Sequence, residues 1–284
     1  NDGFVPILGT KPEALGRPFS DVWKEAWSEI SGIADDAFAG QATYIENFPL
    51  VIQRSVRPEL AYFTFCYSPI RDQFGQVVGM LNTVTETTAT VLMTQRLAVL
   101  DAIGSAVTET SDPREIMQAT MGTLAGYLKV THCAYADMED DEDGFFIRDN
   151  WLVEDATSLF GQYRLGDFGE GPLASLRAGQ PLVINDIASD LAPGVAATFR
   201  AFGIVSALCL PLIKGGKLTA LMAIHDKAPR TWSPYELALL GEVAERSWAH
   251  IERARADAAV REGLAALEHL NLTLEERVQE RSAR

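Results

Sequence analysis

What this sequence lacks narrows its chemistry first. It has no apolar run near the about 18 residues that a membrane-crossing helix needs, and its opening stretch NDGFVPILGT lacks the basic and apolar regions of a secretory signal. Its three cysteines, Cys66, Cys133 and Cys209, are odd in number, far apart and without a CxxC or CxxxC pair. That excludes a disulfide framework and a cysteine zinc site, and it points to a reducing, cytoplasmic compartment. Each cysteine reads as a small buried hydrophobe. The four histidines, His132, His225, His250 and His269, are not spaced as metal ligands. Positive charge is scarce: 24 lysines and arginines face 39 acids, for a net charge of −15. Nucleic acid and anionic membranes, which need a basic face, are poor partners for such a chain. No glycine-rich phosphate loop is present, because Lys214-Gly-Gly-Lys217 reads as a hairpin turn. No catalytic residue and no metal is therefore assigned, and the sequence requires no cofactor.

What is present suits two globular domains: 284 residues with 47% hydrophobic content. The first segment opens with an apolar patch. A helical stretch follows, KPEALGRPFSDVWKEAWSEI, with Val22, Trp23, Ala26, Trp27 and Ile30 at spacings of three and four. ADDAFAG reads as another short helix, ending on Gly40. Two-residue alternation then takes over. Phe63, Phe65 and Tyr67 share one face of a strand, with Tyr62, Thr64, Cys66 and Ser68 on the other. DQFGQ turns into a second strand, VVGMLNTVTE.

An uninterrupted helix is predicted over 86–108, and a new domain follows it. Ser111 or Asp112 precedes Pro113 as a helix N-cap. The strand VTHCAYADM, an acidic hairpin loop and the strand FFIRDNWLV come next. An irregular middle mixes turns, short helices and one strand, PLVIND. The hairpin VSALCLPLI–KGGK–LTALMAIHD is apolar on both strand faces, which requires cover on both sides of its sheet. Ser233, Pro234 and Glu236 form a capping box, and the helix they start has no convincing break before Arg284. Gly263 is its weak point, at about 1 kcal/mol against alanine.

These stretches resemble known families. NDGFVPILGTKPEALGRP and YFTFCYSPIRDQFGQVVGMLNTVTETT are similar to early and late parts of a PAS domain. The resemblance implies that Asn1 falls inside that fold and that the native gene continues upstream. It also implies a signal-relay element at Thr83, Thr85 and Glu86, with threonine where the family carries aspartate. LRAGQPLVINDIASD and GIVSALCLPLIKGGKLTALMAIHDKAPRTWSPYELALLGEVAERSWAHIERA resemble a GAF domain. The tail LNLTLEERVQERSAR looks like the helix that leads into the catalytic half of bacterial sensor histidine kinases. The fold expected is α+β: a PAS-like domain over 1–85, a connecting helix over 86–108, a GAF-like domain over 109–250 and a coiled-coil exit helix over 251–284. The function implied is the input module of a two-component sensor kinase, binding a small ligand or relaying a conformational change. The alternatives are a phytochrome-like photoreceptor, a redox sensor and the input of a nucleotide cyclase.

Each alternative meets a departure from its pattern. Tetrapyrrole-binding GAF domains carry Cys-His on a later helix, whereas here His132-Cys133 lies on an early strand. Cys66 lacks the Asn-Cys-Arg motif of flavin-binding PAS relatives. Cys133 and Cys209 lie in apolar strands, where burial raises a thiol pKa. HDKAPRTW has Trp232 where cyclic-nucleotide binders have phenylalanine. Ligand contacts are expected instead from aromatics of the irregular middle and nearby strands: Trp151, Tyr163, Phe168 and Phe199, with His225 at a strand end. Tyr44, Tyr62 and Thr64 are the candidates in the first domain.

The exit helix implies a partner. A heptad seam runs through Val260, Leu264, Leu267, Asn271, Leu274 and Val278, apolar at five of six positions. The asparagine specifies register and a parallel homodimer. A second register through Val260, Leu267, Leu270 and Leu274 scores four of six, so the helix pairing can be switched by input.

Overall fold

The computed structural model describes residues 2–9, 11, 14–54, 58–108, 110 and 112–282. It divides into two compact units, Asn1–Gln95 and Arg96–Arg284.

In the first unit, helices α1 (Val5–Leu8), α2 (Phe19–Val22) and α3 (Trp27–Phe38) precede an antiparallel sheet of order β1 (Thr43–Ile52), β2 (Glu59–Arg71), β3 (Val77–Glu86). The helical stretch predicted up to Ile30 is not one helix. The chain leaves helical geometry at Trp23 and tightens into a 3-10 turn over Lys24–Ala26 before α3 begins. ADDAFAG is not a separate helix but the last turns of α3, closed by Gly40 at φ 94°. That dihedral suits a residue without Cβ. The alternation of β2 sorts its faces as its chemistry demands. Ala61, Phe63, Phe65 and Tyr67 join Trp23, Ile30, Ala34 and Ala37 in the core. Asp72 fixes the β2–β3 turn by accepting from the N–H groups of Phe74 and Gln76, at 2.8 and 2.9 Å. At the end of β3, Arg54 donates to Glu86 at 2.5 and 2.9 Å, and the Thr88 hydroxyl donates to Glu86 at 2.8 Å. Arg54 holds the Glu86 carboxyl below its ordinary pKa.

Helix α4 (Thr88–Thr108) fills the predicted connecting segment. Its Val99, Leu100 and Ile103 are buried in the core of the second unit. There, α5 (Pro113–Leu128) starts on Asp112, whose carboxylate accepts from Arg114 N–H at 2.8 Å; Ser111 lies outside the described residues. Six antiparallel strands stand in the order β6 (Gly161–Arg164), β5 (Gly144–Leu152), β4 (His132–Met138), β9 (Lys217–Asp226), β8 (Ser206–Lys214), β7 (Leu182–Ile184). The irregular middle thus holds two strands rather than one: β6 is four residues long and polar at alternate positions, too short for a periodic signal.

The sheet has two apolar faces, which explains the doubly apolar β8 and β9. One packs on α5 and α9 (Pro234–Ser282), with Met121, Leu124, Met222, Ile224, Leu239 and Leu240 fully buried. The other is roofed by α6 (Glu170–Arg177), α7 (Ile187–Asp190), α8 (Pro193–Ala201) and their connections. Ser233 and Glu236 make the predicted capping box: Glu236 N–H donates to Ser233 Oγ at 3.2 Å and Ser233 N–H to the Glu236 carboxylate at 2.7 Å. Helix α9 continues through Gly263 unbroken. Among the described residues, no helix is long and apolar enough to cross a membrane.

Candidate functional site

Under the roofed face of the second unit lies a cavity of about 80 Å3. Its floor is made of small residues on the central strands: Ala134 and Ala136 of β4, Ala207 of β8 and Ala223 of β9. Alanine at these sheet positions leaves room that a branched side chain would fill. Its walls are aromatic. Phe145 stands 5.5 Å from Tyr163 and 6.0 Å from Phe168, which stands 5.2 Å from Phe199; Tyr163 packs edge-on to Phe202 at 5.6 Å. The Tyr163 hydroxyl donates to the Leu159 carbonyl at 3.1 Å. His225, at the end of β9, supplies a polar group on an otherwise mainly apolar lining.

His225 pairs across the sheet with His132, the rings 6.2 Å apart and nearly perpendicular. His132 Nε2 lies 3.0 Å from the Thr157 carbonyl and its Nδ1 3.1 Å from Thr131 Oγ1. A carbonyl only accepts, so Nε2 carries the proton. Burial lowers the pKa of both rings, that of His225 to about 3, helped by its histidine neighbour. Both are neutral at pH 7. His225 Nδ1 is buried and has no hydrogen-bond partner among the described residues.

Four of the predicted contact residues therefore meet here: Tyr163, Phe168, Phe199 and His225. Trp151 does not join them. It points to the α5–α9 face, against Gly122: unbroken alternation from Phe145 and Ile147 would place it over the cavity, but the β4–β5 register shifts between Tyr135 and Asp137 and exchanges the faces. Tyr44, Tyr62 and Thr64 lie on the sheet face away from the first unit's core; that core surrounds a separate cavity of about 30 Å3 walled by Phe63, Phe65 and Tyr67. Tyr44 is exposed and donates to Glu46. Thr83 and Thr85 pair with Cys66 and Thr64 on this same outer face, while Glu86 is held by Arg54. The sequence reading missed Phe145 and Phe202. Their signal was present, since Phe202 is an aromatic of the irregular middle and Phe145 one on a strand before it, but Phe145 and Phe146 are adjacent and only the register of β5 chooses between them.

A larger cleft, of about 650 Å3, opens between α5, α9 and the opposite sheet face. Its charges are already paired. Asp137 accepts from Arg255 at 2.9 Å and Arg148 at 3.2 Å, and Asp149 from Arg114 at 2.8 Å. A groove whose ion pairs are already made offers a ligand less than an apolar cavity lined by an imidazole with an unpaired nitrogen among the described residues. The segment after His225 is structural: Arg230 ties β9 to α9 through Asp226 at 3.3 Å and Glu236 at 2.6 Å, and Trp232 Nε1 donates to the Ile184 carbonyl at 3.0 Å. Cys133 and Cys209 are buried, and burial pushes the Cys209 thiol up to about 12. Among the described residues, no cluster of histidine, cysteine and carboxylate side chains is placed to hold a metal ion.

Comparison with known proteins agrees with this architecture. Residues 112–251 match the GAF domain family. Solved structures with the same fold include the far-red absorbing dark state of JSC1_58120g3 with bound biliverdin IXa, at 17% identity and TM-score 0.50, covering 55% of this chain and 99% of that one. The phycoerythrobilin-bound and phycocyanobilin-bound GAF domains from a cyanobacterial phytochrome match at 16% and 17% identity, with TM-scores of 0.51 and 0.50. Each covers 57% of this chain, and 97% and 96% of its own. No curated protein matches. Residues 112–251 are a GAF domain.

Proposed function

We propose that this GAF domain is the sensing part of a signal-transducing input module. Its cavity takes up a small molecule, and α9 carries the resulting change to an output domain. The observation behind this reading is the cavity: mainly apolar, walled by aromatics, and holding a buried imidazole nitrogen without a partner. Buried polar atoms are rarely left so, and the ring that carries this one lines the cavity, which makes it a place for a ligand group. Helix α9 fits the relay, because one continuous element begins under the sheet and extends past it. The first unit is consistent with a PAS-like partner domain: a three-stranded antiparallel sheet with helices on one face and a small cavity beside Asn82, whose buried Oδ1 also lacks a partner among the described residues. The tail's resemblance makes a histidine kinase the output of choice in a cytoplasmic, parallel dimer. Sequencing the gene beyond Arg284 tests it. A phosphoacceptor histidine segment followed by an ATP-binding domain supports the kinase, and a nucleotide cyclase domain replaces it.

The bilins in the similar solved structures favour a second reading, a photoreceptor. The cavity does not fit that group. Drug-sized ligands occupy about 300–1,000 Å3, and a linear tetrapyrrole with two propionates is at least that large. The cavity has about 80 Å3 and neither lysine nor arginine in its lining. Its one cysteine is Cys209, whose buried thiol is a poor nucleophile for attachment. The same burial weakens a redox role. Purified protein is expected to be colourless; a strong visible absorption band overturns this choice.

A further inference from the structure

The polar chemistry of the cavity narrows what it can bind. His132 is committed: its Nε2–H donates to the Thr157 carbonyl, and its Nδ1 faces the Thr131 hydroxyl. The Thr131 hydroxyl is committed too, standing 3.0 Å from the His225 carbonyl. Tyr163 donates to Leu159. What remains is the His225 imidazole, 8% exposed, with Nδ1 enclosed and unpaired among the described residues. Burial keeps that ring neutral. An anion in this lining would lose its hydration beside neither lysine nor arginine among the described residues, so the lining favours a neutral ligand. A hydroxyl both donates and accepts, so it satisfies either tautomer of a neutral imidazole. Size sets a second limit. Its volume of about 80 Å3 favours a compact body over an extended one. The aromatic walls and alanine floor require that body to be hydrocarbon.

We infer that the GAF cavity binds a small neutral molecule with one hydroxyl on a short hydrocarbon body, the hydroxyl hydrogen-bonded to His225. The inference rests on the sensory reading above and adds the class of ligand. The probes are 1-propanol and 1-chloropropane, which share a carbon chain and differ in the hydroxyl. The full chain, labelled with 15N histidine and with 13C methyl groups at leucine and isoleucine, is titrated with each. In the unsubstituted protein, 1-propanol shifts the His225 ring nitrogens and 1-chloropropane does not, while both shift methyls of Leu221 and Ile204. His225→Leu weakens 1-propanol relative to 1-chloropropane by about two- to tenfold, the range of one net hydrogen bond. If both probes shift the methyls but the His225 nitrogens ignore 1-propanol, the hydroxyl class is overturned and the sensory cavity stands. A parallel change of both affinities in His225→Leu has the same meaning. If neither probe binds the unsubstituted protein, the cavity is no ligand site and both readings fall. The ring-nitrogen measurement needs no substitution, so a variant that misfolds leaves the test intact.

Discussion

His225 shows at the scale of one residue how burial converts into behaviour. Its ring is held neutral with a pKa near 3, far below the about 6.5 of a free histidine. Between those values the unfolded chain binds a proton that the folded chain refuses. Stability is therefore complete above pH 6.5 and falls as pH drops through that window, by about 1.4 kcal/mol per unit once well below 6.5. At pH 5 the loss is about 2 kcal/mol. His132, whose pKa is also lowered, adds to the same slope. Urea titrations of the GAF unit at pH 7 and pH 5 should show this difference, and His225→Leu should shrink it; an equal slope in the variant would mean that other groups carry the acid sensitivity. Burial sets a second expectation three residues back along β9, on the opposite face of the sheet. Met222 is fully buried against α5 and α9, so Met222→Ala should cost about 2–5 kcal/mol in the same titration at pH 7.

At the scale of elements, local chemistry decides where helices start and long-range packing decides which face works. Ser233 exchanges hydrogen bonds with Glu236 at the start of α9. Ser233→Ala should destabilise the GAF unit by about 1 kcal/mol, measured as a lowered urea midpoint with an unchanged slope. This cap was legible in the sequence because it depends on residues three apart. So were the β2–β3 and β8–β9 hairpins and the continuity of α9, each a short-range pattern. The cavity was legible only in part. Tyr163, Phe168, Phe199 and His225 meet there, but Trp151, picked on composition alone, faces α5 instead. The side on which a strand residue works follows from its register with a neighbour, and a one-residue slip exchanges the faces. Within β2 the alternation was plain, yet the polar face carrying Tyr62 and Thr64 is not the one over the cavity. The split of the first helical stretch at Trp23 had no local signal, since neither proline nor glycine stands there. The ring of Trp23 packs edge-on against Phe4 and beneath the Lys11 ammonium, a tertiary arrangement that fixes the break.

At the scale of the whole molecule, the acidic chain ends its described part in a helix that leaves much of its apolar surface uncovered. Val260, Leu264, Leu267 and Leu274 are 61%, 56%, 59% and 48% exposed, and Leu270 is 53% exposed. Val278 lies in the helix, its side chain outside the described residues. Leucines repeated on one stripe of an isolated helix stay in water at a cost of about 1.5–3 kcal/mol each relative to full burial, so pairing has a ready driving force. A second copy of this chain presents the same stripe. In a parallel pair Asn271 meets Asn271, whereas shifted or antiparallel pairings bury it against leucine. Light scattering should therefore give the mass of a dimer. Leu267→Glu with Leu274→Glu should give monomers, because four carboxylates in one seam repel and cannot be desolvated. Near-UV circular dichroism should show the GAF core unchanged, since neither leucine belongs to it. A dimer that survives both substitutions would place the pairing surface elsewhere in the chain. Asn271→Leu separates stability from register: it should strengthen association while admitting the second heptad phase through Leu270, read as new disulfides when single cysteines are placed one heptad apart along the stripe.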